Sequence, residues 1–128
     1  MRPIELLITT LKEFGYPVEK QGYMPSPSEQ PYPNSFFTYW NFETPRSGFY
    51  DNKHHKAEYG YWIYFYSNNP DDIDWFLEDT IKEAGTKLEE KGFVVIGDGE
   101  DADSGTYTHD GKMIEVYYIN KEEELNNE

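Results

Sequence analysis

The sequence predicts an α+β domain, two helices packed on a mainly antiparallel β-sheet, in the order α–β–β–α–β–β–β. Three observations carry that prediction. Two stretches repeat apolar residues at helical spacing, several short segments are dense in aromatic and β-branched residues, and Gly and Pro punctuate the joints. A chain of 128 residues holds one such domain. The expected unit spans residues 1–120, followed by a charged tail, Lys121 to Glu128, that frays.

The first helix is predicted over Pro3 to Phe14. Ile4, Leu7, Ile8 and Leu11 share one helical face, Pro3 suits the first turn, and Gly15 and Pro17 stop the helix. From Val18 to Asn34 the chain is rich in Pro and Ser and reads as an extended connection crossing a sheet edge. Ser35 to Glu43 and Glu58 to Tyr66 read as strands with bulky residues on both faces, so each must bury two surfaces. The polar stretch Thr44 to Ala57 is too long for a tight hairpin and reads as an excursion or β-arm.

The second helix is predicted over Asp71 to Lys91. Ile73, Leu77, Ile81, Ala84 and Leu88 form its apolar stripe. Asp71, Asp72 and Asp74 suit its positive end, with Glu78–Lys82 and Glu83–Lys87 as pairs on the wet side. Gly92 ends it, and Gly85 weakens its middle. Phe93 to Ile96 then reads as a short strand, Gly97 to Gly105 as an acidic loop, and Thr106 to Ile119 as a hairpin turning at Asp110-Gly111.

Composition bounds the function. Leu, Ile, Val and Phe number 26 of 128, which with a formal net charge of −14 sits at the edge of disorder. Twelve Tyr and three Trp tip the balance toward folding around a half-wet aromatic core. The absence of Cys excludes disulfides, thiolate zinc sites and cysteine nucleophiles. No apolar run approaches the roughly 20 residues of a membrane span. Glu5 and Lys12 interrupt any signal-peptide core. The negative charge argues against general nucleic-acid binding, which depends on cations that neutralise phosphates. The expectation is a soluble, acidic, intracellular protein without membrane contact.

No chemical motif emerges. Asp98, Glu100, Asp101 and Asp103 resemble the start of a calcium loop, but Lys112 stands where a bidentate Glu is required. His54 and His55 are adjacent, so on a strand they point to opposite faces and cannot share one ion with Glu58. Ser47, Asp51 and either His lack the surroundings of a nucleophile elbow. Base stacking on Tyr59–Tyr66 would need a basic groove, and the one basic cluster is Lys53-His54-His55-Lys56. The residues alone indicate a binding or assembly module with no catalytic residues, metal or cofactor.

Several patterns are shared with a known family. Phe36-Phe37-Thr38-Tyr39-Trp40 followed by Gly48-Phe49-Tyr50-Asp51-Asn52-Lys53 is similar to an "ITF…YADNK" stretch. Tyr61 to Ser67, the helix ending at Gly92-Phe93, and Asp103-Ser104-Gly105-Thr106-Tyr107-Thr108-His109 before Lys112-Met113-Ile114-Glu115-Val116 match its later elements. Over about residues 1–120 the chain resembles the tail terminator (tail completion, tail-to-head joining) proteins of long-tailed bacteriophages and prophages. Tyr50 departs from the family's Ala, and Thr108 to Gly111 extends its hairpin.

The resemblance implies a non-enzymatic virion protein of the tail–head neck, present in host cytoplasm during assembly. Such proteins cap the tail tube as a hexameric ring, end its polymerisation and offer the head-joining face. The implied partners are further copies of itself, the major tail tube protein, a head-completion or stopper connector, and DNA that passes without specific binding. Arg46, Phe49, Tyr50, Asp51, Asn52 and Lys53 are then candidates for the head-to-tail subunit interface. Asp98, Glu100, Asp101 and Asp103 are candidates for a lumen-facing acidic loop that repels phosphate. Two alternatives stand beside this reading: an acidic DNA mimic that inhibits a DNA-binding enzyme, and a carbohydrate-binding module using Tyr39, Trp40 or Trp62 as sugar platforms.

Overall fold

The computed structural model describes residues 2–21, 33–44, 57–68, 73–105 and 108–120. Across them run α1 (Pro3–Lys12), β1 (Val18–Lys20), β2 (Ser35–Glu43), β3 (Ala57–Ser67), α2 (Ile73–Glu90), β4 (Phe93–Ala102) and β5 (Asp110–Asn120). The strands form one sheet in the order β1-β2-β3-β5-β4, antiparallel except for the β1–β2 pair. The α+β class is as the sequence predicts. The element order differs: a third strand precedes α2, and two strands follow it.

Each helix forms for the reasons its sequence suggests. Leu7 and Leu11 of α1 and Leu77, Ile81, Ala84 and Leu88 of α2 are fully buried, as period 3.6 requires of a stripe facing a core. Gly15 and Gly92 adopt positive φ (85° and 101°) just past the helix ends, a conformation open to glycine at little cost. Gly85 faces the sheet, where a methyl group would sit 3.6 Å from Ile114 and Val95, an ordinary contact, so packing does not demand the glycine.

Both helices pack on one face of the sheet. Phe37, Tyr61, Ile63, Phe65, Phe93, Ile114 and Val116 point into that layer and are buried. Phe37 is ringed by Phe14, Tyr16 and Phe65, with centroids at 5.5, 6.2 and 4.7 Å. The aromatic cluster reaches α2 through Phe76, which meets Phe65 at 5.5 Å, and Leu77, Ile81, Ala84 and Leu88 continue the core as an aliphatic stripe.

Three sequence expectations are corrected. The extended connection begins with a real strand: β1 lies parallel to β2, and the ladder is continued by Phe37 N–H to Pro17 O and Gln21 N–H to Tyr39 O, each 2.8 Å. As an edge strand it tolerates Pro17, whose missing N–H would disrupt a central one. The acidic stretch after Ile96 is not a loop. It continues β4 to Ala102 through a register shift between Ile96 and Glu100, where Gly97 (φ 80°) and Gly99 (φ 108°) allow a bulge.

Asp110-Gly111 is not a turn but the start of β5, paired with Ser67, Tyr66 and Ala102. The chain reverses earlier, after Ala102. There Gly105 N–H donates to Asp103 Oδ1 (2.8 Å) and Ser104 Oγ to His109 O (2.8 Å). His109 is buried at the end of this reversal. Its Nε2 donates to Pro33 O (2.9 Å), since a carbonyl can only accept, and its Nδ1 lies 2.9 Å from Thr108 Oγ1.

Gly111 lies in a strand because a ring roofs it. A methyl group at Gly111 would stand 2.5 and 2.6 Å from two ring carbons of Tyr66 and 3.0 Å from Ala102 O. Tyr66 is itself buried, so it has no room to yield. Gly111→Ala is expected to lower stability by about 1–3 kcal/mol, the ordinary cost of overpacking, measured as a reduced urea midpoint at unchanged slope.

Burial gives one core phenol a titration signature. Desolvation pushes Tyr61 from 10.0 up to about 12, with the neighbouring Tyr59 adding to it. A group raised in the folded state stabilises fully below its unfolded pKa, and that stability is lost as pH rises through the folded value. Folding should therefore weaken between pH 10 and about 12 by up to about 3 kcal/mol, and Tyr61→Phe should flatten much of that slope.

Candidate interaction surface

Strand alternation divides the aromatic residues between two environments. Along β3, Tyr61, Ile63 and Phe65 enter the helix-side core, while Trp62, Tyr64 and Tyr66 occupy the opposite face. No helix among the described residues covers that second face. The expectation that β2 and β3 each bury two surfaces is met only in part: the second face is buried at Phe36, Thr38 and Tyr66 and open at Trp40.

The uncovered face is ordered by cross-strand register. Trp40 pairs with Trp62, Trp62 with Glu115, and Glu115 with Ile96, so one row crosses four strands. Beside it Gly60 pairs with Tyr117 and Tyr117 with Val94. Phe42 fills the space above Gly60, where an added methyl would meet its ring at 2.7 Å. Phe42 stacks on Trp62 (4.7 Å, 24°) and meets Tyr117 edge-on (5.7 Å, 87°).

The face changes character along its length. Toward the start of β2, Phe36, Thr38 and Tyr66 are buried, with Phe36 against Tyr66 (5.3 Å) and His109 (5.8 Å). Thr38 Oγ1 donates to Gln21 Oε1 there. Toward the other end the apolar surface is open: Trp40 is 41% exposed, Val94 47% and Ile96 50%. Val94 and Ile96 lie at one end of the row and Trp40 at the other, with half-buried Trp62, Glu115, Phe42 and Tyr117 between them. An exposed apolar band of this kind marks a surface that meets another molecule.

Glu115 lies at the centre of the open band. Its two carboxylate oxygens accept Trp62 Nε1–H and Tyr117 O–H, each at 3.0 Å. The Tyr117 phenol is held above its usual range, chiefly by desolvation, then by its bond to Glu115 and by the charges of Glu115, Glu43 and Glu58. Lys20 Nζ lies 5.8 Å from the Trp40 ring at the far margin, a cation over an aromatic face.

The four acidic candidates separate. Asp98 is exposed at the β4 bulge, at the rim of a shallow groove of about 170 Å³ shared with Ile81, Lys82, Gly85, Thr86 and Val95. Glu100 pairs with Met113 and Asp101 with Lys112, whose ammonium binds the Asp101 carboxylate. Asp103 turns back to accept Gly105 N–H. They line an extended edge strand and its turn, which corrects the expectation of one gathered loop.

Among the described residues no group of three or more His, Asp or Glu could hold a metal ion. The interface candidates Arg46, Phe49, Tyr50, Asp51, Asn52 and Lys53 lie outside the described residues, as do Ser47, His54 and His55. The proposed sugar platforms do not share a face: Tyr39 packs toward the helices, whereas Trp40 and Trp62 pair on the open side. Of the two wet-side pairs expected on α2, Glu78–Lys82 closes at 2.7 Å, while Lys87 reaches α1, 4.0 Å from Glu13 and 5.8 Å from the Phe14 ring.

Sequence reasoning missed the Trp40–Trp62–Glu115–Ile96 row, since it joins four segments that only register brings together. No family model matches this chain, and no curated protein matches it. A double-mutant cycle of Trp62→Phe with Glu115→Gln should give a coupling of about 1 kcal/mol, the value of a partly exposed bond to a charged acceptor. Zero coupling in urea melts would remove Glu115 as the organiser of the band.

Proposed function

We propose that this chain is a non-enzymatic assembly protein that caps the tail tube of a long-tailed phage or prophage as a hexameric ring. In that role it ends tube polymerisation and presents the head-joining face. The observation that carries the reading is the two-sided sheet. Helices seal one face, and the other presents an ordered apolar band without covering helices among the described residues. A head-to-tail ring requires two different patches on each subunit, and the two unlike edges of the sheet, β1 and β4, offer them, which leaves the open face for a joining partner.

The acidic strand fits the same role. Asp98, Glu100, Asp101 and Asp103 on a subunit of formal charge −14 would make a wall that repels phosphate and lets DNA slide. Tails assembled without this protein are expected to grow to uncontrolled lengths in electron micrographs and to fail to join heads, with the purified protein restoring both. Tails of normal length that join heads in its absence would refute the reading. Asn/Gln replacement of the four carboxylates that leaves assembly and DNA passage unchanged would remove the lumen assignment alone.

One observation favours a second reading. A DNA mimic needs carboxylates spaced along an extended element rather than gathered in one loop, and Asp98, Glu100 and Asp101 are strung along the edge strand β4. Tight, salt-sensitive binding of the free protein to a basic DNA-binding enzyme, lost in the same Asn/Gln variant, would select it.

A further inference from the structure

The open band couples aromatic faces to carboxylates. Trp40, Trp62, Glu115 and Ile96 form one row, and Phe42, Tyr117 and Val94 lie beside it. Among the described residues, Glu115, Glu43 and Glu58 take part in no ion pair. The band is thus apolar in area and anionic in charge. That combination favours a cation with a greasy stem or a flat face over a neutral apolar chain.

We propose that this band is the docking site for a basic polypeptide segment of a partner protein, with an arginine laid on the aromatic band beside Glu115. Charge selects the occupant. A second copy that laid its own band against this one would bring the same three carboxylates, so like would face like. Arginine fits best because its planar guanidinium stacks on indole and phenol faces while donating in a fork. Glu115 has already spent one lone pair per oxygen on Trp62 and Tyr117, and each oxygen keeps another for that fork.

The chain uses the same chemistry on itself, since Lys20 already sits over Trp40 at the band's margin. Aromatic residues and arginine are also the commonest energetic anchors of protein interfaces. The assignment is independent of the tail reading and holds for any assembly the protein joins.

The test uses the full chain and two fluorescein-labelled peptides, one alternating Arg with Val and one alternating Gln with Val, followed by fluorescence anisotropy. The expected result is binding of the Arg peptide at least about tenfold tighter than the Gln peptide. Glu115→Gln should weaken the Arg peptide by about tenfold, while Asp98→Asn, which removes the same charge from the β4 bulge, changes it less than about twofold. The double variant Glu43→Gln/Glu58→Gln gives an independent reading should Glu115→Gln melt early, and is expected to weaken the Arg peptide several-fold.

Three results would overturn the proposal. Equal losses from Glu115→Gln and Asp98→Asn would mean diffuse attraction to an acidic protein. Equal binding of both peptides would mean a merely apolar surface. Self-association of the wild-type chain that Val94→Glu abolishes would assign the band to a second copy.

Discussion

A one-residue slip of β3 would exchange the two faces of the sheet. Tyr61, Ile63 and Phe65 would leave the helix-side core, and Trp62, Tyr64 and Tyr66 would enter it. Both sets are large, so hydrophobic patterning alone discriminates poorly between the two registers. Glycine supplies the missing discrimination. Phe42 lies over Gly60 and Tyr66 over Gly111, each filling a notch that any side chain would block. Because the rings and the notches sit on different strands, these two fits fix β2 against β3 and β3 against β5 together. The helix-side core, the open band and the path of β5 all follow from that register.

The charge of the chain constrains where its apolar surface can go. With 25 acidic and 11 basic residues, opposite charges cannot pair throughout, so most carboxylates must stay wet. They gather on the outer face of α2, along β4 and at the rim of the open band. On β4 they also have a protective effect. A ten-residue edge strand is a template for unwanted pairing, and acidic side chains with a glycine bulge blunt it. The apolar half of the same strand, Val94 and Ile96, joins the band instead.

What the sequence revealed depended on how local each signal was. The α2 stripe and the bounds of β2 follow from periodicity and aromatic density within one segment, and both match the structure. β1 is three residues long and is held beside β2 by Phe37 N–H donating to Pro17 O and Gln21 N–H to Tyr39 O, so its own composition carries almost no signal. The second half of β4 contains Gly97, Asp98 and Gly99, residues depleted in strands, and tertiary pairing with β5 overrides that propensity. Asp110-Gly111 has the composition of a favoured turn, yet the Tyr66 ring makes the glycine a strand residue. The Trp40–Trp62–Glu115–Ile96 row was out of reach for the same reason: each member is unremarkable until three registers are known.

The Gly60 notch also helps a wide apolar band stand in water, because Phe42 seats the end of its ring there against the backbone. Phe42 and Trp62 in addition cover each other, and Glu115 ties Trp62 and Tyr117 down through their polar atoms. The side chains are therefore held in place before anything binds. Ordering entropy is a main cost of forming an interface, and a preorganised band avoids much of it. Assembly on this face would need no rearrangement of the sheet, and control would rest on the charge of the arriving surface.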